Sequence, residues 1–251
     1  NLRIFANRNF LICTILVFIW AIVIFGNQYI LPVYIARVRG LDGTTIASMV
    51  YIMGAAQVAS GILALYLFKI FNRRTVAFMG FIMLAAGSWF QGFMISEVGP
   101  NEIIWPQIIK GLSAQLCFLP LVLLSIGYLP INKVKDGSGL YSLMNRVGSA
   151  IGIAASNTLF EHKITENYVE IVSFTSGAIN RSEIFFNKLN NFIPKYLSNS
   201  PEKIKMTSEI LHKIGIEEAS AMAFNQIMII MAIIAFIVSP LIFWVKGLKN
   251  S

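Results

Sequence analysis

The chain has 251 residues, 56% of them apolar and only 13% charged, with a net charge of +8 and a mean hydropathy of +0.69. A soluble domain covers its surface with about 25% charged residues, so this composition excludes an ordinary water-soluble enzyme and points to lipid as the solvent. The basic residues lie in short clusters between apolar runs, not along a stripe with interleaved aromatics, which excludes a nucleic-acid interface and fits orientation in a membrane.

A helix crosses ~30 Å of hydrocarbon with about 20 apolar residues. Uncharged runs of that kind cover residues 9–36, 43–68, 75–96, 111–132 and 219–245. The first is too long for a secretory signal peptide, and the start at Asn1 instead of methionine is expected of a trimmed or partial chain. A sixth span is expected at 137–160, interrupted by Arg146 and rich in Gly137, Gly139, Gly148, Ser149, Gly152 and Ser156. Small residues of this kind let helices approach closely. Pro32, Pro120 and Pro240 fall within spans, where proline kinks a helix.

Charge sets the orientation. Arg3, Arg8, Lys69, Arg73, Arg74, Lys133, Lys135, Lys246 and Lys249 occupy the start, alternate short connections and the tail. The other short connections carry only Arg37 and Arg39. The positive-inside rule then places both termini in the cytoplasm, a parity that needs six spans and not five. The expected division is residues 1–160 with five transmembrane helices, 161–218 as an extracytoplasmic loop, and 219–251 with the last span and a cytoplasmic tail. Within the loop, Pro201 followed by Ile204, Leu211, Ile214 and then Gly215 reads as a capped amphipathic helix. Residues 185–197 read as a second surface segment, either resting on the membrane or touching a partner protein.

No phosphate-cradling glycine loop, paired-histidine zinc spacing or nucleophile elbow occurs, so neither enzyme activity nor a cofactor or metal site is expected. His162 and His212 fall in the long loop and read as solvated. No Asp or Glu lies in the five uncharged runs, so a proton-coupling acid has to come from elsewhere in the parent protein. The polar content of the spans is mostly amide. Each amide is either paired between helices or facing a water-filled path. Asn27, Gln28 and Gln115 are the candidates for lining a substrate cavity, whereas Gln57, among Gly54, Ala55, Ala59 and Gly61, reads first as a tight helix contact. Arg146, expected about 13 Å from the cytoplasmic start of its helix, reads either as a snorkelling or ion-paired residue or as a gating or anion-stabilising one. Lys110, expected near the outer end of its helix, reads as snorkelling to the headgroups.

Several segments resemble one family. GSGLYSLMNRVGSAIGIA (137–154) is similar to a hallmark helix of the fourteen-span drug:proton antiporters, the EmrB/QacA type of the major facilitator superfamily. NQYILPVYIARVRG (27–40), FKIFNRRTVAFMG (68–80) and KGLSAQLCFLPLVLLSIGYLP (110–130) resemble other parts of the same pattern, most weakly matched over 161–218. The resemblance implies an all-α membrane protein whose six helices form one bundle of such a transporter, the C-terminal six of fourteen spans. It further implies binding near the midplane between two bundles, alternating access, and proton-driven export of hydrophobic or cationic compounds from the inner membrane. The partners implied are the lipid bilayer, the missing N-terminal half and a periplasmic adaptor. Asn27, Gln28, Pro32 and Arg146 match family-marked positions; Asn27, Gln28 and Arg146 together with Gln115 make the expected substrate-binding set. An exporter of a defined solute such as a siderophore or metabolite, or a split-gene remnant that transports nothing alone, stays open from the sequence.

Overall fold

The computed structural model describes residues 2–40, 42–93, 100–179 and 201–245. Six α-helices form it: α1 (Arg8–Arg39), α2 (Gly43–Ile70), α3 (Arg73–Gln91), α4 (Pro100–Ile126), α5 (Ile131–Ile179) and α6 (Pro201–Val238). Short 3-10 segments precede α1 (Leu2–Ala6) and follow α6 (Ser239–Trp244), and no strand occurs among the described residues.

Local chemistry explains most of the ends. Asn7 caps α1, its side chain accepting from the backbone N–H of Asn9 at 3.0 Å and of Phe10 at 3.4 Å. That satisfies two of the donors a helix start leaves free. Gly40 stops the same helix at φ +55° and donates its N–H to Ala36 O, a left-handed cap that favours glycine. Gly127 and Pro130 close α4. At Pro240 the missing N–H breaks the α pattern, and the chain tightens into the final 3-10 turn.

The helices pack in two layers. In the front layer α1 lies along α5, α4 lies along α2, and α1 meets α4 in the middle, giving the order α5–α1–α4–α2. Behind it α3 packs on α4 and α6 packs on α5 and α1, while α3 and α6 meet each other. Glycines set the front-layer spacing. A Cβ on Gly148 would sit 2.6 Å from Phe18 O, and one on Gly152 would sit 2.5 Å from Ile22 O. On the other flank, a Cβ on Gly111 would sit 2.5 Å from Met53 O. Backbone therefore touches backbone at both the α1–α5 and α2–α4 seams.

Large apolar side chains also stand on the outside. Tyr51, Val58, Ile62 and Leu65 of α2, Leu143 and Val147 of α5, and Phe236 and Ile237 of α6 all stand exposed. Helices apolar all round belong in lipid. Four stretches, Arg8–Val38, Gly43–Ile70, Ile103–Ile126 and His212–Trp244, are long and apolar enough to cross a membrane, whereas α3 and α5 are not among them.

Three expected boundaries move. α4 starts at Pro100, not at 111, so Lys110 lies well inside the helix. α5 runs on to Ile179 instead of ending at 160, and α6 begins at Pro201 and passes Gly215 without a break. The stretch 161–218 is thus helical at both ends in place of a loop carrying a separate short helix. Its polar residues sustain the helix through pairs three or four apart: Lys163–Glu166 at 2.6 Å, His162–Glu166 at 3.4 Å and Lys213–Glu217 at 3.9 Å. Gly215 serves packing, since a Cβ there would meet the Tyr168 ring at 3.0 Å. The segment expected at 185–197 lies outside the described residues.

Candidate substrate-path residues

The four residues singled out from the sequence range from fully buried to exposed. Asn27 is fully buried, and its Nδ2 donates to Val23 O at 2.9 Å and to Ser88 Oγ at 3.2 Å. It therefore ties α1 to α3 in the back layer, leaving Oδ1 without a partner. Gln28, the next residue, is half-buried and points its Nε2 at Met53 Sδ of α2, 3.9 Å away. Sulfur is a weak acceptor, so this amide is held loosely. Gln115 on α4 is half-buried. Arg146 on α5 is exposed, and its carbonyl accepts from Ser149 Oγ at 2.8 Å. Because α5 begins at Ile131, the guanidinium lies about 22 Å along the helix at 1.5 Å per residue. That is deeper than the sequence boundary implied. No hydrogen bond joins any two of the four.

Further polar contacts cross between helices elsewhere. Tyr29 donates its hydroxyl to Asn157 Oδ1 at 3.1 Å, tying α1 to α5. Further along the same seam Arg37 makes a two-pronged pair with Glu161, at 2.8 and 3.1 Å, and its guanidinium lies 5.6 Å above the Phe160 ring. On the extended parts of α5 and α6, Gln226 Nε2 donates to Asn167 Oδ1 at 3.3 Å. In turn Asn167 Nδ2 donates to Ala219 O at 3.3 Å. The Tyr168 hydroxyl meets His212 Nδ1 at 2.6 Å.

Lys110 is the main correction. Its side chain is 0% exposed and donates to Gln91 Oε1 of α3, so it does not snorkel to the headgroups. Gly87 makes the room, since a Cβ there would fall 2.6 Å from Lys110 Cγ. The sequence signal for this is a glycine and a glutamine one turn apart on one helix, Gly87 and Gln91, and a lysine within the next. The tight helix contact expected around Gln57 is present: a Cβ on Gly111 of α4 would lie 2.7 Å from Ala56 Cβ and 3.3 Å from Gln57 N, and Ser60 donates to Leu112 O, while Gly54 and Gly61 have nothing within 4 Å of an added Cβ.

One cleft of about 390 Å³ opens between α3 and α6, lined by Ala85, Ala86, Trp89, Phe90, Ala232 and Phe236 among others, all apolar. None of the four candidate residues lines it. Among the described residues, no three His, Cys, Asp or Glu side chains are grouped as metal ligands would be.

No family model matches the chain. Individual proteins do. It is 25% identical over 250 residues to the colistin resistance protein EmrB of Acinetobacter baumannii, a match covering 99% of this chain and 48% of that protein. The multidrug export protein EmrB of Escherichia coli K12 is 24% identical over 175 residues, 68% of this chain and 34% of its own length. The efflux pump FUS6 of Gibberella moniliformis is 23% identical over 205 residues, covering 80% of this chain and 36% of that pump. The chain is a homologue of EmrB-type multidrug export proteins and spans about a third to a half of the length of these relatives.

Proposed function

We propose that this chain is the C-terminal half of a proton-coupled multidrug efflux permease of the major facilitator superfamily, in the inner membrane. It crosses the bilayer six times with both ends in the cytoplasm. The observation that carries the reading is the match to EmrB along 99% of the chain, made by a helical bundle with many large apolar side chains on its exterior. In this reading the front layer α5–α1–α4–α2 faces the N-terminal half. Between the two halves runs the path for hydrophobic or cationic compounds. The loosely held Gln28, the half-buried Gln115 and the exposed Arg146 line it. Asn27, bonded to Ser88, supports the path from behind and is not a direct contact. The polar extensions of α5 and α6 project on the extracytoplasmic side, where an adaptor protein would dock. The proton-titrating acid belongs to the other half, because residues 9–36, 43–68, 75–96, 111–132, 137–160 and 219–245 contain no Asp or Glu.

The test is dye efflux from cells expressing the full-length parent protein, with and without a proton gradient. Efflux that collapses with the gradient and falls several-fold in Gln28→Ala and Arg146→Ala supports the assignment. Efflux unchanged in both variants removes those residues from the path, and no gradient-dependent efflux at all removes the transport reading.

A further inference from the structure

Three aromatic side chains from three front-layer helices meet inside the bundle. The Phe118 ring of α4 packs on Trp20 of α1 with 5.4 Å between centroids, and on Tyr141 of α5 with 6.0 Å. Trp20 and Tyr141 are 4% and 3% exposed. Neither the Trp20 Nε1–H nor the Tyr141 hydroxyl has a hydrogen-bond partner among the described residues. A buried donor left unmade carries its full desolvation cost, and native proteins pair nearly all such groups. Asn145, one turn beyond Tyr141 on the same face of α5, adds an unpartnered Oδ1. Phe118 is only half-buried and is the most accessible member of the group, with the half-buried Gln115 one turn away on α4.

We infer that this cluster is a ligand subsite for a neutral aromatic molecule bearing a hydrogen-bond acceptor, which packs against Phe118 and accepts from Trp20 Nε1–H and the Tyr141 hydroxyl. The inference rests on the transport reading and narrows it at this point in the path. An indole N–H can only donate, so the ligand has to supply an acceptor. Three rings in tilted contact favour a flat apolar partner over an aliphatic one. Residues 8–39, 103–126 and 137–160 contain no Asp or Glu, and Arg146 adjoins Asn145. The cluster therefore offers a cation no counter-charge.

The experiment uses the purified full-length parent protein and two probes of nearly equal shape, 2-acetylnaphthalene and 2-ethylnaphthalene, in equilibrium dialysis. Tyr141→Phe keeps the ring and removes the donor, and Trp20→Phe removes the donor while leaving a smaller aromatic ring in place. Each is expected to weaken the acetyl probe about 5- to 20-fold, the loss of one hydrogen bond, and to change the ethyl probe less than about twofold. Phe118→Ala is expected to weaken both. Retained binding of the ethyl probe shows that the donor variants are folded. Equal losses for both probes, no loss for either, or no binding of either probe to the unsubstituted protein overturns the subsite. Dye efflux run in parallel separates the two ideas: efflux without donor-dependent discrimination sinks the subsite alone, and discrimination without efflux sinks the transport reading alone.

Discussion

The side chain of Lys110 donates to the amide oxygen of Gln91, burying a hydrogen bond between α3 and α4 with no exposure of the lysine at all. Removing only the acceptor leaves the amine sealed and unmatched, whereas removing both groups restores a plain apolar contact. Gln91→Leu is expected to cost about 2 kcal/mol. The Gln91→Leu/Lys110→Leu double variant is expected to stay within about 1 kcal/mol of the parent. Thermal unfolding in detergent micelles reads both values. Strictly additive losses would show that the two residues are not coupled.

The α1–α5 seam depends on two positions where nothing larger than hydrogen fits. At Gly148 and Gly152 an added Cβ would lie 2.6 and 2.5 Å from carbonyl oxygens of α1. Backbone cannot step aside as a flexible side chain can. Gly148→Ala and Gly152→Ala are each expected to destabilise by about 1–3 kcal/mol, the range for overpacking a well-packed interior. Gly139→Ala is the control. A Cβ at Gly139 meets nothing within 4 Å, so the gain in helix propensity is expected to leave it neutral or stabilised by about 0.5–1 kcal/mol. Equal effects at all three glycines would contradict the packing described.

At the start of α2 the Thr44 hydroxyl, and after it the Thr45 hydroxyl at 2.6 Å, donate to Asp42 and hold its carboxyl below the ordinary carboxylate value. The sign follows from the direction. With the folded value depressed, the contribution to stability is present above the unfolded value and is lost as pH falls through the folded one. Fraying of the first turn of α2 is therefore expected only at acid pH. A carboxyl-resolved NMR titration should place Asp42 below a free aspartate, and Thr44→Ala with Thr45→Ala should move it back up. A value unchanged by the double substitution would contradict the contact.

Much of the helix inventory was legible because hydrocarbon imposes a simple rule on composition: the uncharged runs at 9–36 and 43–68 sit inside α1 and α2 almost end to end. Hydropathy failed at Glu161 and Pro201 for a physical reason. It marks where a helix leaves an apolar environment, and charged residues such as Lys163 and Glu166 continue the helix by pairing along it. For the candidate site, residue type and family resemblance mark Asn27, Gln28, Gln115 and Arg146, yet neither encodes direction: Asn27 turns inward to Ser88 while its neighbour Gln28 stays half-buried. The Trp20–Phe118–Tyr141 group was invisible because its members are far apart in sequence and each reads as ordinary apolar filling.

The account stands most directly on which side of the bilayer each helix end occupies. Single cysteines placed at 73 and 135 (the basic first turns of α3 and α5), at 42 (the start of α2) and at 162 (within α5, just past its uncharged run) are to be labelled with a membrane-impermeant maleimide in intact cells. Positions 42 and 162 are predicted to react from outside, and 73 and 135 only after the membrane is opened. Labelling of 73 and 135 from opposite faces would contradict the six-span arrangement and the transport path built on it.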